Sequence, residues 1–267
     1  MIADSHSHSI FSFDGHDDIA TLCRAAIDRG LSALAVTDHC DIDGVLDGLY
    51  PPYDGKGARD AILSAKEQFR GQLDVAFGVE LGQPYLREKE AAALIREMGY
   101  DFVLVSVHNL ENVPDFYYLN YNAMPDALLK SLMHRAIDDL CRAAAFPGAD
   151  SLAHITYPWR LVRREGRPFD LMDFADEYRH LFRVMIEHGT ALELNTKMLR
   201  RGFPPDPPTE LLRLYRDEGG ELVTVGSDAH TAAEVGGGVP EAYDLLRSLG
   251  FRYVSAAGSR GLSPIKL

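Results

Sequence analysis

Potential metal ligands recur along this chain directly after short apolar runs that are typical of β-strands. Residues 102–107 lead into His108, for example, and residues 222–225 lead into Asp228. The nine residues of this kind are His6, His8, Asp14, His39, Glu80, His108, His154, Asp228 and His230. The repeated placement at strand ends predicts that they share one site.

The first two histidines are spaced so that they can bind one ion. His6 and His8 stand two apart in a predicted strand, so both point to one face and the intervening serine points away. The full set mixes imidazole with carboxylate, which Zn, Mn and Fe accept, and it contains no thiolate. We therefore expect a site with positions open to water rather than a closed structural zinc cluster.

Single histidines carry little weight in this argument. A histidine at a strand end is more often a hydrogen-bonded structural residue, and that alternative is open for His108 and His154 taken singly. Four further histidines fall in predicted helices or at their starts, where exposed side chains are expected. They are His16, His134, His180 and His188. Only the joint pattern of nine ligands indicates metal chemistry.

The composition limits the class of protein. With 267 residues, 46% of them hydrophobic, the chain can form one barrel-sized domain over residues 1–267. No segment approaches the ~20 apolar residues of a membrane span, and the early ligands leave no room for a signal peptide. The three scattered cysteines predict reduced thiols. We expect a cytoplasmic protein that does not bind membranes.

The net charge is −13, from 27 basic and 40 acidic residues. Binding to a phosphate backbone requires a positive stripe, so this balance argues against a nucleic-acid partner. A small anionic substrate is still compatible with it, because bound metal ions would make the site itself cationic.

Strand and helix signals alternate along the chain. Strands are predicted at residues 1–7, 31–37, 73–79, 100–107, 151–155, 191–195, 222–226 and 251–254. Helices are predicted at residues 17–29, 58–70, 88–98, 127–145, 171–188, 209–218 and 241–249. This alternation implies an α/β fold with a parallel sheet, and seven or eight units of ~30 residues suggest a (β/α) barrel with all ligands at one mouth.

Two long linkers follow ligand-bearing strands and should overhang that mouth. Residues 41–57 are rich in Gly, Asp and Pro, and residues 109–125 are rich in aromatic side chains. The aromatic run either packs against its own barrel or forms a wall for the organic part of a substrate, and the sequence leaves both alternatives open.

The ligand motifs resemble those of the polymerase and histidinol phosphatase (PHP) superfamily. The matching segments are Asp4-x-His6-x-His8, Thr37-Asp38-His39, Gly78-Val79-Glu80, Ser106-Val107-His108, His154 and Ser227-Asp228-Ala229-His230. Within the superfamily, Ser106-Val107-His108 and Glu193-Leu194-Asn195-Thr196 with Leu199-Arg200 look most like histidinol-phosphate phosphatase. The resemblance implies a distorted (β/α)7 barrel that carries three divalent metal ions.

The same resemblance implies how the ligands divide. His6, His8, Glu80 and Asp228 would hold the first ion, Glu80, His108 and His154 the second, and Asp14, His39 and His230 the third. Glu80 would bridge two ions, and His16 is an alternative to Asp14. Asp4 and Asp38 would orient ligating imidazoles by hydrogen bonds.

Metal-activated water would attack phosphorus, so no Ser or Cys nucleophile is required. The catalytic groups would be Glu80 and Asp228 at the metals, with an arginine that grips the phosphate. Arg200 matches the Asn-Thr-x-x-Leu-Arg segment of the family, and Arg160 lies six residues after His154. Both are candidates because a guanidinium binds phosphate through paired hydrogen bonds.

The expected function is hydrolysis of L-histidinol phosphate to L-histidinol and phosphate, a step of histidine biosynthesis. Lys197 and Met198 stand where the family usually has small residues. Their side chains would narrow the mouth of the barrel or change its charge. The alternative is another small phosphate ester, such as a nucleotide or sugar phosphate. A non-catalytic metal module is disfavoured, because none of the nine ligands is missing. The native metal and the oligomeric state do not follow from the sequence.

Overall fold

Short apolar strands and amphipathic helices alternate along the chain, and the computed structural model, which describes residues 1–267, folds them into a barrel. The strands up to the last barrel strand are β1 (Ala3–Asp4), β2 (Ala33–Val36), β3 (His39–Asp41), β4 (Asp74–Gly82), β5 (Phe102–Ser106), β6 (Ser151–Leu152), β7 (Ala191–Asn195) and β8 (Val223–Gly226). Seven of them pair in the order β1-β2-β4-β5-β6-β7-β8, and every pairing is parallel.

The barrel closes through backbone hydrogen bonds beyond the ends of its first and last strands. The Ser5 N–H donates to the Val225 carbonyl at 2.8 Å, and the Asp228 N–H donates to the His6 carbonyl at 2.8 Å. The short β3 extends β2 and pairs with the end of β4, where His39 lies beside Glu80. The (β/α)7 prediction is confirmed.

Nine helices surround the strands. They are α1 (Ile19–Asp28), α2 (Ile42–Leu46), α3 (Gly55–Gln68), α4 (Glu88–Met98), α5 (Asp126–Ala144), α6 (Tyr157–Arg164), α7 (Ala175–His188), α8 (Thr209–Asp217) and α9 (Val239–Ser248). Gly99 and Gly189 follow α4 and α7 at φ +62° and +72°, a conformation that glycine adopts at little cost, so both helices end where the sequence predicts. None of the helices is both long and apolar enough to cross a bilayer.

A C-terminal hairpin seals one end of the barrel. Strands β9 (Tyr253–Gly258) and β10 (Gly261–Lys266) pair antiparallel to each other. Ala257 is buried among interior residues of the barrel strands, and its N–H donates to the Ser5 hydroxyl at 3.3 Å. The interior alternates small and large side chains there, with Phe102 and Leu104 filling the space that alanines leave. The sealed end leaves the carboxyl ends of the strands as the open mouth.

Four local predictions were wrong. The strand at residues 251–254 belongs to the hairpin instead of the barrel, because β9 pairs only with β10. The linker at residues 41–57 contains the end of β3, all of α2 and the start of α3, and α6 follows His154 without having been predicted. The first strand covers only Ala3–Asp4; beyond it the pairing is reduced to single hydrogen bonds and an isolated bridge between Ser7 and Ala229.

Candidate metal centre

The nine predicted ligands converge at the carboxyl ends of the barrel strands. Glu80 lies within β4, and most of the others follow a strand within four residues. Six are buried, and Asp14, His39 and His230 are partly exposed toward the mouth. The four remaining histidines are exposed, as predicted for helix surfaces.

Glu80 is the hub of this cluster. Its Oε1 lies 2.8 Å from His154 Nε2 and 3.1 Å from His108 Nε2. Its Oε2 lies 3.1 Å from His6 Nε2 and 3.1 Å from His39 Nδ1. One buried carboxylate thus presents each of its two oxygens to a different pair of imidazoles, which is the arrangement that a bridging ligand requires.

The second group joins the segments that follow β1 and β8 across the barrel closure. His6 Nε2 lies 3.0 Å from His8 Nε2, and His8 Nε2 lies 3.6 Å from Asp228 Oδ1. Ligand atoms of all three residues lie within 4.8 Å of one another. When two donor atoms each lie about 2.1 Å from one ion, they are roughly 3 to 3.5 Å from each other. The observed distances therefore suit a common ion.

A third group lies nearer to solvent and contains Asp14 rather than His16. Asp14 Oδ2 is 2.9 Å from His230 Nε2 and 3.8 Å from His39 Nε2, and His8 completes the group. The side chain of His16 is exposed. Asp14 Oδ1 is buried without a hydrogen-bond partner, as expected for an oxygen that a cation would satisfy. The donor sets of oxygen and imidazole nitrogen therefore fit divalent ions.

Charge within the cluster shifts the pKa values of its members in opposite directions. Burial disfavours the charged form of Glu80, but His39, His6 and His108 outweigh it and hold the pKa of the carboxyl well below its usual range. Burial likewise opposes a charged His6, yet Glu193 and Glu80 raise its pKa well above the ordinary value. Protons and metal ions therefore compete for the same imidazole nitrogen.

Two carboxylates that the motif analysis did not assign orient the ligating rings. Glu193 Oε1 accepts from His6 Nδ1 at 2.6 Å, and Asp41 Oδ1 accepts from His108 Nδ1 at 2.6 Å. Each bond leaves the Nε2 atom of its ring facing Glu80. This is the usual supporting contact of a metal-binding histidine. In the sequence, Glu193 was marked only as part of the segment Glu193-Leu194-Asn195-Thr196, and Asp41 carried no signal beyond its acidic type two residues after His39.

Asp4 and Asp38 do not have the orienting role expected of them. Asp4 accepts from the backbone N–H groups of Ser227 and Gly236, both at 2.8 Å. Asp38 accepts from the Ser9 N–H at 2.6 Å and from the hydroxyls of Ser9 and Ser12. Both carboxylates hold the loops that carry the ligands. Asp38 stands next to His39, and neighbouring residues of an extended segment point to opposite faces. The two oxygens of Asp4 are occupied by the N–H groups of Ser227 and Gly236.

Two glycines make room for the orienting carboxylates. A Cβ on Gly226 would lie 2.3 Å from the His6 Cβ and 2.5 Å from Glu193 Oε1. A Cβ on Gly82 would lie 2.1 Å from Asp41 Oδ1. Any larger residue at either position would displace an imidazole or its acceptor, so the packing of backbone against side chain sets the ring positions.

Strained backbone also marks the site. His154 and Asp228 adopt φ values of +25° and +52°. Such conformations cost a non-glycine residue on the order of 1–3 kcal/mol and persist where surrounding contacts enforce them. Here they turn both side chains back over the mouth of the barrel.

A cavity of about 850 Å³ opens over the cluster. Aromatic side chains from the linker at 109–125 and from α6 line it, together with several cations. The cationic residues are Arg160, Arg163, Arg164, Lys197 and Arg201. Of the aromatic run, Phe116 and Tyr121 are buried in the core, whereas Tyr117 and Tyr118 face the cavity. The linker therefore packs against its own barrel through Phe116 and Tyr121, while Tyr117 and Tyr118 form part of the cavity wall.

The two candidate arginines occupy different environments. Arg160 lines the cavity, and its buried Nη1 atom has no hydrogen-bond partner, with Asp206 Oδ2 3.6 Å away. Arg200 does not line the cavity; its guanidinium donates to the Ser227 carbonyl and lies 2.9 Å from Glu234 Oε1. Lys197 does line it, with Nζ 2.9 Å from Asp228 Oδ1.

Comparison with known sequences gives a consistent result. Residues 4–197 match the PHP domain family. The chain is 26% identical to a probable histidinol-phosphatase of Thermotoga maritima, with 99% of each protein covered. It is also 26% identical to the histidinol-phosphatase of Lactococcus lactis, over 93% of this chain and 91% of that one.

Comparison with solved structures supports the fold. The histidinol phosphate phosphatase of Lactococcus lactis, solved with zinc, L-histidinol and phosphate, superposes with a TM-score of 0.78 at 21% identity over 98% of each chain. A putative histidinol phosphatase of Listeria monocytogenes superposes with a TM-score of 0.75 at 16% identity, over 89% of this chain and 98% of that one.

Proposed function

Because the chain belongs to the PHP domain family, we propose that it is a metal-dependent phosphatase that hydrolyses L-histidinol phosphate to L-histidinol and phosphate. The observation that carries the proposal is the cluster around Glu80, where one buried carboxylate has four imidazoles within 3.1 Å and that of His8 at 3.5 Å, beneath an open cavity. Relatives with the same named activity match nearly the whole length of this chain.

We propose three divalent ions, zinc, manganese or iron, at the three groups of ligands. Glu80 would bridge, with His6, His8 and Asp228 on one side and His108 and His154 on the other. Asp14, His39 and His230 would hold the third ion. When bound, the ions would supply positive charge at the phosphoryl oxygens and activate water for attack on phosphorus. Zinc in the Lactococcus lactis structure is compatible with this choice.

The remaining roles fall to side chains of the cavity. Arg160 would donate to the phosphate, because its buried Nη1 has a hydrogen left unpaired. Lys197 would hold Asp228 in place and add positive charge beside it. The partly enclosed aromatic wall would exclude water around the organic group and strengthen these charge interactions. Unlike cysteine or serine nucleophiles, none of these groups needs to bond covalently to phosphorus.

The proposed partner is therefore a small phosphorylated substrate. The absence of nucleic-acid and membrane partners, the cytoplasmic location and a single functional domain over residues 1–267 stay predictions. The second candidate substrate is another small phosphate ester. Lys197 and Met198 both line the cavity, and they would change its width and charge relative to the small residues that the family usually has there.

A substrate panel tests the proposal. Purified protein with added Mn or Zn is assayed for phosphate release from histidinol phosphate, mononucleotides and sugar phosphates. We expect the highest kcat/KM for histidinol phosphate, no turnover after metal removal, and loss of turnover in His154→Asn. The exposed His188→Asn is the matched control and should keep wild-type rates. A higher kcat/KM for a nucleotide or sugar phosphate would replace the substrate, and metal-independent turnover would refute the mechanism.

A further inference from the structure

One carboxylate in the cavity differs from all the others in its partners. The acidic side chains that line the cavity mostly contact cations or imidazoles: Asp206 lies near Arg160, for instance, and Asp228 contacts Lys197. Asp115 is half-buried and accepts from the hydroxyls of Tyr50 and Tyr157, each at 3.3 Å, and from the Tyr117 N–H at 2.7 Å. All three donors are neutral, and no basic side chain forms an ion pair with Asp115. Arg160 and Arg164 lie instead over the rings of Tyr157 and Tyr117, at 5.1 and 4.9 Å from the ring centroids.

Its tyrosine partners connect Asp115 to the metal centre. The ring of Tyr157 lies 5.5 Å from the ring of His154 and 5.7 Å from that of His108. On the other side, Tyr50 stacks on Phe13 at 5.1 Å, and Phe13 stacks on His39 at 5.2 Å. A single phenol ring, that of Tyr157, thus separates the Asp115 carboxylate from two predicted metal ligands. A substrate group a few bonds away from a phosphorus atom at the metal site would reach about this far.

Tyr50 and Tyr157 stay uncharged at neutral pH, so they do not change the charge around Asp115. The ordinary pKa of a phenol is about 10, well above neutrality. Both phenols therefore stay protonated and donate, and their rings stay uncharged. A carboxylate flanked by aromatic rings is an environment that attracts an alkylammonium ion, through the ion pair and through the ring faces.

We propose that Asp115, flanked by Tyr50 and Tyr157, is the specificity-determining residue that receives the primary ammonium group of an amino-alcohol phosphate. This inference rests on the proposed phosphatase function and deepens it. The ammonium of histidinol phosphate lies two carbons and one oxygen from phosphorus. A primary amine is charged at neutral pH, whereas an imidazole with a pKa near 6.5 is mostly neutral, so the ammonium is the group that a lone carboxylate selects.

The test is Asp115→Asn, which removes the charge and keeps the local fold. Asparagine can still accept from the Tyr117 N–H, as Asp115 does at the start of the short turn Phe116–Tyr118. For histidinol phosphate we expect kcat/KM to fall about 10-fold or more, chiefly through KM. For the analogue that lacks the amine, 3-(imidazol-4-yl)propyl phosphate, kcat/KM should stay within about twofold. Glu111→Gln removes a charge from an exposed position of the same linker and should change neither substrate.

Binding of L-histidinol gives a readout that is independent of turnover. Calorimetry should show weaker histidinol binding in Asp115→Asn and unchanged binding of 3-(imidazol-4-yl)propanol. Equal losses for amine-containing and amine-free compounds would overturn the inference, because they would indicate a structural role. If wild type does not hydrolyse histidinol phosphate, the proposed function fails instead. The role of Asp115 is then tested by comparing wild type and Asp115→Asn on 2-aminopropyl phosphate and on propyl phosphate. An equal effect of the substitution on both substrates would refute the proposed amine site.

Discussion

A buried carboxylate is tolerated where cations or hydrogen-bond donors compensate its charge, and Glu80 meets that condition through its imidazole neighbours. Because His39, His6 and His108 lower the pKa of Glu80, it keeps its charge at neutral pH and is ready to bind cations. The same reasoning explains why Glu193 and Asp41 sit behind His6 and His108, since each imidazole then lies between two acidic groups.

We expect Glu80→Gln to be the most damaging single change among the ligands. Glutamine keeps the shape but removes a negative charge that two ions would share, so metal content and kcat/KM should fall, the latter by about 100-fold or more. Elemental analysis and steady-state kinetics measure both. Glu187→Gln, at an exposed position of α7, is the matched control. A fully metal-loaded and active Glu80→Gln protein would show that the bridging role is wrong.

The arginine that grips the phosphate can be identified by a pair of lysine variants. Arg200 matches the family segment, but its guanidinium contacts Ser227 and Glu234 and does not line the cavity, whereas Arg160 does. Each arginine has one buried nitrogen without a hydrogen-bond partner, so their positions relative to the cavity distinguish them. We expect Arg160→Lys to lower kcat/KM about 10-fold, because lysine cannot form paired hydrogen bonds to phosphate. Arg200→Lys should change melting temperature more than KM. The opposite pattern in kinetics would assign the phosphate contact to Arg200.

At the scale of elements, the strands together position the ligands, because each strand ends at the same mouth of the barrel. The ligands at the ends of β5 and β6 depend on how well those strands pack inside the barrel. Leu104 of β5 is fully buried in the interior cluster that the C-terminal hairpin covers. Since small alanines surround that cluster, few side chains can move to fill a space left there.

We therefore expect Leu104→Ala to destabilise the fold by about 2–5 kcal/mol, from lost burial and an unfilled cavity. Denaturant unfolding measures the free energy. Leu63→Ala is the control, because Leu63 is 54% exposed on α3 and the same substitution should stay within about 0.5 kcal/mol there. A small effect at Leu104 would mean that the hairpin and strands relax into the space.

At the scale of the whole molecule, the candidate metal centre joins the first and last strands of the barrel. His6 and His8 follow β1, and Asp228 follows β8, so ions held by all three would fasten the closure of the barrel. Ligands that bind only the folded state stabilise it by mass action, by about 2.7 kcal/mol at a concentration 100 times the Kd. For a chain of this length, each kcal/mol shifts Tm by roughly 2–4 °C.

Chelation should accordingly lower Tm by about 5–10 °C, and adding Zn or Mn should restore it. Thermal unfolding of the metal-loaded and chelated protein tests this, with His188→Asn as a control that should shift like wild type. Glu80→Gln should show a smaller shift on chelation than wild type. An unchanged Tm in the wild-type protein would mean that no ion fastens the barrel closure.

The sequence by itself determined the alternation of strands and helices, and with it the parallel barrel and the shared mouth. Helix ends at Gly99 and Gly189 and the exposure of four histidines also followed from local rules. These features depend on periodicity, on glycine conformation and on the placement of ligands after strands, all of which are written in short stretches of chain.

Only the tertiary structure decided which residues touch. Glu193 and Asp41 support His6 and His108 from other strands, and Asp4 and Asp38 hold loop backbone instead. Three further features appeared only in the tertiary structure: the pairing of the last two strands as a hairpin, the position of Arg200 outside the cavity, and the neutral donors around Asp115. Side-chain partners come from segments far apart in sequence, and their choice depends on distances of a few tenths of an ångström that no local pattern encodes.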